Sequence, residues 1–232
     1  MWKEFYFGPG NTNPNTLNVE ASIHDYGVKV GTWSAPRNNI RVENIKFMHY
    51  KLAGVKTEGG ANNITVTNCA FEELYHGIDS YFASNNKYLN STFLKTYATA
   101  IHALDNNTLV ERNRLNDIAM LPGMGETFFG YFGIQVGGLN NIVRENRIIN
   151  TGYSGIFGDS NALIEKNFVK GFLCTLNDGG GIYWDSGSGI TVQDNIVVDP
   201  VGNLSSVAAN NPVTVRLGFG IYFGNAQITG AR

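Results

Sequence analysis

The chain is poor in the residues that mark several large protein classes. Its 232 residues include two cysteines, Cys69 and Cys174. They are too few for a disulfide framework and too far apart for a metal knuckle, so both read as plain buried thiols. Charged residues make up 16%, below the roughly 25% of an average soluble domain. Lys plus Arg number 17 and Asp plus Glu 19, a net charge of −2. That balance lacks the basic excess by which nucleic-acid and membrane-surface proteins attract their partners. No apolar run approaches the roughly 18 residues of a membrane span. The start, Met1-Trp2-Lys3-Glu4, has no apolar stretch resembling a signal peptide. Prolines number only six, yet 43% apolar and 12% aromatic residues exclude disorder or a flexible linker.

What is abundant is asparagine and glycine, 29 and 28 residues, about a quarter of the chain. They recur at a period. One segment runs Val42-Glu43-Asn44-Ile45-Lys46-Phe47, Thr67-Asn68-Cys69-Ala70-Phe71, Leu89-Asn90-Ser91-Thr92-Phe93, Glu111-Arg112-Asn113-Arg114-Leu115, Arg144-Glu145-Asn146-Arg147-Ile148, Glu165-Lys166-Asn167-Phe168-Val169 and Gln193-Asp194-Asn195-Ile196-Val197. The spacings between successive asparagines are 24, 22, 23, 33, 21 and 28. In step runs a small residue followed by an aliphatic: Gly54-Val55, Gly77-Ile78, Ala100-Ile101, Gly133-Ile134, Gly155-Ile156, Gly181-Ile182 and Gly220-Ile221. Asn pairs at 38–39, 62–63, 85–86, 106–107 and 140–141 suit tight turns, because Asn tolerates left-handed backbone angles.

Short strands every 22 residues or so, with no 3.6-residue pattern between them, describe a solenoid of stacked β coils. The expected architecture is all-β: a parallel β solenoid of about seven coils in one domain over 1–232. Residues 1–37 would form the first strands or an entry coil, and 38–232 the repeated coils. Asn44, Asn68, Asn90, Asn113, Asn146, Asn167 and Asn195 are expected to form a ladder in one turn, each carboxamide bonding the next.

The pattern resembles the right-handed parallel β-helix proteins of the pectate-lyase-like superfamily, over roughly residues 38–200 and more loosely over the whole chain. It is similar in particular to large secreted bacterial β-helix proteins that act on polysaccharides. Those often carry a segment like Asp178-Gly179-Gly180-Gly181-Ile182-Tyr183 followed by an acid, here Asp185. They often open with a stretch like Asn13-Pro14-Asn15 through Val19-Glu20 and a line like Tyr26-Gly27-Val28. The resemblance implies a secreted, periplasmic or cell-surface protein with a polysaccharide or oligosaccharide as its partner. The fold also serves lyases, hydrolases, epimerases, tailspikes and adhesins, so it does not name a reaction.

Most coils use 9 or 10 residues between the repeated Asn and the small-aliphatic pair, but three use 20, 14 and 25. The extra residues fall at Ala119–Phe129, Leu176–Gly180 and near Val201–Arg216, all in the same turn, and are expected to wall a groove. Its floor should be the outward row of the strand that begins at each pair: Lys56, Asp79, His102, Gln135, Phe157, Tyr183 and Tyr222. A second outward row two residues on reads Glu58, Tyr81, Leu104, Gly137, Asp159, Asp185 and Gly224. Aromatics beside carboxylates suit sugars, which stack on rings and bond to acids and amides.

Asp185, Asp159 and Asp178 are the candidate catalytic carboxylates, the two that glycoside hydrolysis needs. Asp159 and Asp185 fall on neighbouring coils about 5 Å apart, with Asp178 as an alternative partner in the wall. Gly158-Asp159-Ser160-Asn161 and Asp185-Ser186-Gly187 also read as turn starters. Asp79, His102, Gln135, Phe157, Tyr183 and Tyr222 are the candidate substrate-binding residues. His76 falls on the inward side of its strand as a core histidine, and nothing fixes the direction of Glu126. No spacing demands a metal or other cofactor. A lyase would need cations on the groove to neutralise an acidic sugar, and only Lys56 stands there. Hydrolysis therefore leads, with a lyase or a non-catalytic glycan-binding solenoid as the alternatives. The chain ends just after its seventh Gly-Ile strand with no polar cap, so the solenoid ends are expected to be covered by a further part of the protein or by another chain, and the Trp2–Phe7 segment to pair with residues upstream.

Overall fold

A computed structural model describes residues 22–206 and 214–224. The Trp2–Phe7 and Asn13–Glu20 segments, the last eight residues and part of the third insertion lie outside it. Among the described residues every regular element is a strand, and all strands pair in parallel into three sheets. The first sheet has eight strands: Tyr26–Val30, Ala53–Thr57, His76–Ser84, Ile101–Asn106, Ile134–Gly137, Ile156–Phe157, Gly179–Trp184 and Gly218–Phe223. The second has seven, from Arg41–Glu43 to Thr191–Gln193, and the third seven, from Lys46–Met48 to Ile196–Pro200. The chain visits the sheets in rotation, so about seven coils enclose one core. No helix of the described residues is long and apolar enough to cross a membrane.

The small-aliphatic pairs follow from core geometry. Val55, Ile78, Ile101, Ile134, Ile156 and Ile182 form one buried column. The residue before each lies against a side chain of the third sheet, whose column begins Phe47, Phe71, Phe93. These rings stack at 5.1 and 4.7 Å. A Cβ on Gly54 would stand 2.6 Å from the Phe71 ring, and one on Gly77 closer still to Phe93. At Gly54 and Gly77 the corner is glycine because the rings occupy the space a side chain needs.

The asparagine ladder is shorter than the sequence suggested. Asn113, Asn146 and Asn167 each donate from Nδ2 to Oδ1 of the Asn one coil on, at 3.0 Å, ending at Asn195. The same Oδ1 atoms accept the backbone N–H of the preceding coil at 2.9–3.0 Å. Strand register puts Ser91, Cys69 and Ile45, not Asn90, Asn68 and Asn44, in this column. Ser91 continues the pattern by accepting the Cys69 N–H. Asn44, Asn68 and Asn90 stand one residue earlier, aligned with Arg112, Glu145, Lys166 and Asp194, all at φ of +49° to +58°. They are there for the left-handed turn. The Asn pairs behave likewise: Asn39, Asn63, Asn85, Asn107 and Asn140 have φ near +60°.

A second polar network closes the other corner. Buried Asp105 accepts bonds from Ser80, the Ala83 N–H, Asn86 and Tyr88, and Thr57 pairs with Ser80. Burial raises the Asp105 pKa, an effect these donors oppose but do not cancel. Cys69 is buried and Cys174 partly so, both free thiols as expected; burial pushes the Cys174 thiol up to about 11.

Two outcomes follow. Asn146→Ala should cost at least ~2 kcal/mol in urea unfolding, because it strands several buried groups at once. Asn68→Ala should cost only about 1 kcal/mol, the left-handed backbone term; equal costs would contradict the register. For Asp105, a folded pKa above the unfolded value of roughly 3.9 means the native state holds its proton longer. Stability from this group is therefore full at low pH and lost as pH rises through the folded pKa. The stability of the wild type minus that of Asp105→Asn should accordingly fall as pH is raised from acid to neutral, a trend that unfolding curves at several pH values would reveal.

Candidate functional site

The outward row of the first sheet is one continuous column. Lys56 pairs in register with Asp79, Asp79 with His102, His102 with Gln135, Gln135 with Phe157, Phe157 with Tyr183, and Tyr183 with Tyr222. All three insertions fall between a strand of the third sheet and the next strand of the first, and their described residues stand beside this column. Its two halves differ in chemistry.

The half formed by the later coils is an open groove of about 750 Å³. Its floor is Gln135, Phe157, Tyr183 and Tyr222; Thr127, Phe128 and Phe129 wall it from the first insertion, Asn177 and Asp178 from the second, Ser206 from the third and Leu217 just after it. The rings of Phe132, Phe157, Tyr183 and Tyr222 follow one another at centroid spacings of 5.0, 5.4 and 5.2 Å. For Phe157, Tyr183 and Tyr222 this is the strand spacing of a parallel sheet expressed in side chains, whereas Phe132 meets Phe157 from outside the column. Tyr153 joins beneath, 5.9 Å from Tyr183, its hydroxyl donating to the Asp178 carbonyl at 2.9 Å.

Asp178 and Asp185 both reach this groove. Asp178 is exposed at a turn with φ of +61°. Asp185 is half-buried, and its carboxylate occupies the space a side chain on Gly224 would need. Burial raises the Tyr183 pKa, helped by the charge and hydrogen bonding of Asp185, so its hydroxyl stays a donor at neutral pH. Asp159 is elsewhere. It lies two residues past the end of its strand at Phe157, where its Oδ1 accepts the Ser160 N–H at 2.6 Å, the bond of a turn starter, and it does not line the groove.

The half formed by the earlier coils is covered. Lys56, Asp79 and His102 are 7%, 8% and 4% exposed, so Asp79 and His102 face protein where the sequence suggested sugar hydroxyls. Lys56 Nζ donates to Asp79 Oδ2 at 2.7 Å and sits 4.1 Å from the centre of the Tyr81 ring. His102 Nδ1 lies 3.1 Å from Asp79 Oδ1. Burial alone would raise the Asp79 pKa, but the His102 bond, His76 and Lys56 outweigh it and hold the carboxylate below its ordinary value.

Glu126 from the first insertion is the lid of this cluster. Its Oε1 accepts the Tyr81 hydroxyl at 3.0 Å, and its Oε2 lies 3.5 Å from His102 Nδ1 and 3.6 Å from His76 Nε2. His76 is buried as expected, yet its ring stacks on His102 at 5.5 Å and faces the lid. Strand alternation fails at this corner because the N–H groups of Gly77 and Ile78 both bond to the Ala100 carbonyl. Sequence reasoning missed the roles of Phe132 and Tyr153, although an aromatic shortly before the Gly-Ile pair was a usable signal.

Arg41, Arg112 and Arg144 lie on other faces. Arg41 pairs with Glu43, Arg112 with Glu145 and Arg144 with Glu111 along the second sheet and its turn. Among the described residues no Lys or Arg lines the groove.

Comparison with known proteins agrees with this architecture. The family described as a right handed beta helix region matches residues 31–197, most of the chain. No curated protein and no solved structure matches significantly. Three parallel sheets wound in rotation and a family match spanning six of the coils lead to one conclusion: the chain belongs to the right-handed β-helix family.

Proposed function

We propose that this β-helix acts on a glycan, holding a polysaccharide along the later half of the outward column and hydrolysing a glycosidic bond with Asp178 and Asp185. The observation that carries the reading is the run of rings at 5.0–5.4 Å spacing with two carboxylates in the same groove. Sugar rings present apolar C–H faces to aromatic rings, while carboxylates and amides bond their hydroxyls. In hydrolysis one carboxyl group protonates the leaving oxygen and the other acts as base or nucleophile. Asp185, beside the Tyr183 hydroxyl, and Asp178, from the second insertion, are the carboxylates of the groove assigned those roles; Asp159 does not line it. A secreted, periplasmic or cell-surface location suits such a substrate.

A lyase fits less well. Removing a proton beside a sugar carboxylate needs a cation to neutralise it, and the cationic Lys56 is already paired with Asp79. Non-catalytic binding would use the same floor, and turnover separates the two.

Tyr183→Ala should weaken retention on polysaccharide affinity gels at least ~10-fold, the loss of one stacked ring at roughly 1.4 kcal/mol. Asp185→Asn and Asp178→Asn should each keep that retention and lose at least ~100-fold in turnover on a substrate found by screening neutral and acidic polysaccharides. Retention without turnover in the wild type would overturn the hydrolase reading and leave the binding one. Retention by no polysaccharide would overturn both.

A further inference from the structure

We propose that His76, His102 and Glu126 form a binding site for a divalent first-row transition ion, zinc being the best match, and that the ion clamps the first insertion against the first sheet. One donor atom from each residue lies within 4.8 Å of the other two. The Glu126 Oε2 edges are 3.6 Å to His76 Nε2 and 3.5 Å to His102 Nδ1. A tetrahedral ion with bonds of about 2.0–2.1 Å has donor–donor edges of about 3.4 Å, which the two Glu126 edges nearly meet, while the two histidines, within 4.8 Å, would close the third.

The tautomer of His76 gives the stronger argument. Its Nδ1 lies 2.6 Å from the Thr99 carbonyl oxygen, which can only accept, so the ring proton is on Nδ1. That leaves the Nε2 lone pair aimed at a carboxylate oxygen, a repulsive contact that an intervening cation converts into two bonds. A backbone carbonyl holding the far ring nitrogen is also the usual outer support of a metal-bound histidine. The surroundings are consistent with a cation. Lys56 and Asp79 neutralise one another, Tyr81 holds Glu126 Oε1 and leaves Oε2 to the site, and the Tyr75 ring edge packs on His76. With neutral histidines the cluster carries one negative charge in excess. His102 Nδ1 also faces Asp79 Oδ1 at 3.1 Å, so an ion there would displace the proton shared by that pair.

Two imidazoles and one carboxylate suit zinc and its neighbours over calcium or magnesium, which prefer all-oxygen sites. The two histidines stand on adjacent strands, whereas Glu126 belongs to the loop that continues into Thr127, Phe128 and Phe129 of the groove wall. An ion would therefore fix that wall whatever the groove binds, so the inference stands apart from the glycan reading.

The test uses the full chain, stripped with a chelator and titrated calorimetrically with zinc chloride. One equivalent should bind saturably. Glu126→Gln, on an exposed loop and so not expected to disturb folding, should weaken binding at least ~10-fold, as should His102→Ala, while exposed His49→Ala should not. Cobalt(II) should give the visible absorption of a tetrahedral nitrogen–oxygen site in the wild type and lose it in Glu126→Gln. Zinc should slow chymotrypsin cleavage at Phe128-Phe129 in the wild type alone. No saturable uptake, or uptake in Glu126→Gln or His102→Ala as tight as in the wild type, would overturn the site; uptake with unchanged cleavage would overturn the clamp.

Discussion

Backbone N–H and C=O groups in this chain point along the solenoid axis, and each coil satisfies the groups of the next. Everything else depends on keeping that register. A slip of one residue would turn every inward side chain outward. The register is therefore fixed at each corner by a different device: a left-handed residue between the first and second sheets and another between the second and third, the buried ladder from Asn113 to Asn195, and glycines that admit the rings of the third sheet. Because the same position recurs in every coil, one mismatched side chain is felt by two neighbours.

The same constraint organises the surface. A column of outward positions brings together residues more than 150 positions apart in sequence, and the 4.8 Å spacing of coils sets the distance between their side chains. Lys56 and Tyr222 lie on one line for this reason. The corner between the second and third sheets, which carries the ladder, is short in every coil, while the longest additions of chain fall elsewhere. The insertions all use the corner between the third and first sheets, and so all stand beside the same column. One of them serves two purposes, with Glu126 over the buried cluster and Phe128 and Phe129 on the groove.

Periodicity made the architecture and the outward column legible before any coordinates, because both are translations by one coil. The places where sequence reading failed are those where translation symmetry is broken. Asn90 and Asn113 look equivalent, yet one is the turn residue and the other the ladder residue, since Asn serves a left-handed turn and a buried ladder equally well and only the strand pairing separates them. His76 seemed to point inward because alternation was counted through a corner where two N–H groups share one carbonyl. The direction of Glu126 lies in a loop with no repeat to read. Asp159 shows the converse: the row count set it beside Asp185, but its strand ends at Phe157 and the Ser160 amide takes its carboxylate. A row predicts where a Cβ stands and not which neighbour claims the side chain.

The central claim is that the later half of the column is one continuous ligand-binding floor. A crystal structure of the protein soaked with oligosaccharide fragments of a polysaccharide it retains tests this most directly. The account predicts sugar rings lying flat on Tyr183 and Tyr222, with hydroxyls bonded to Asp185 or Gln135. Sugar density on the arginine-lined second sheet, with the ring column bare, would contradict it.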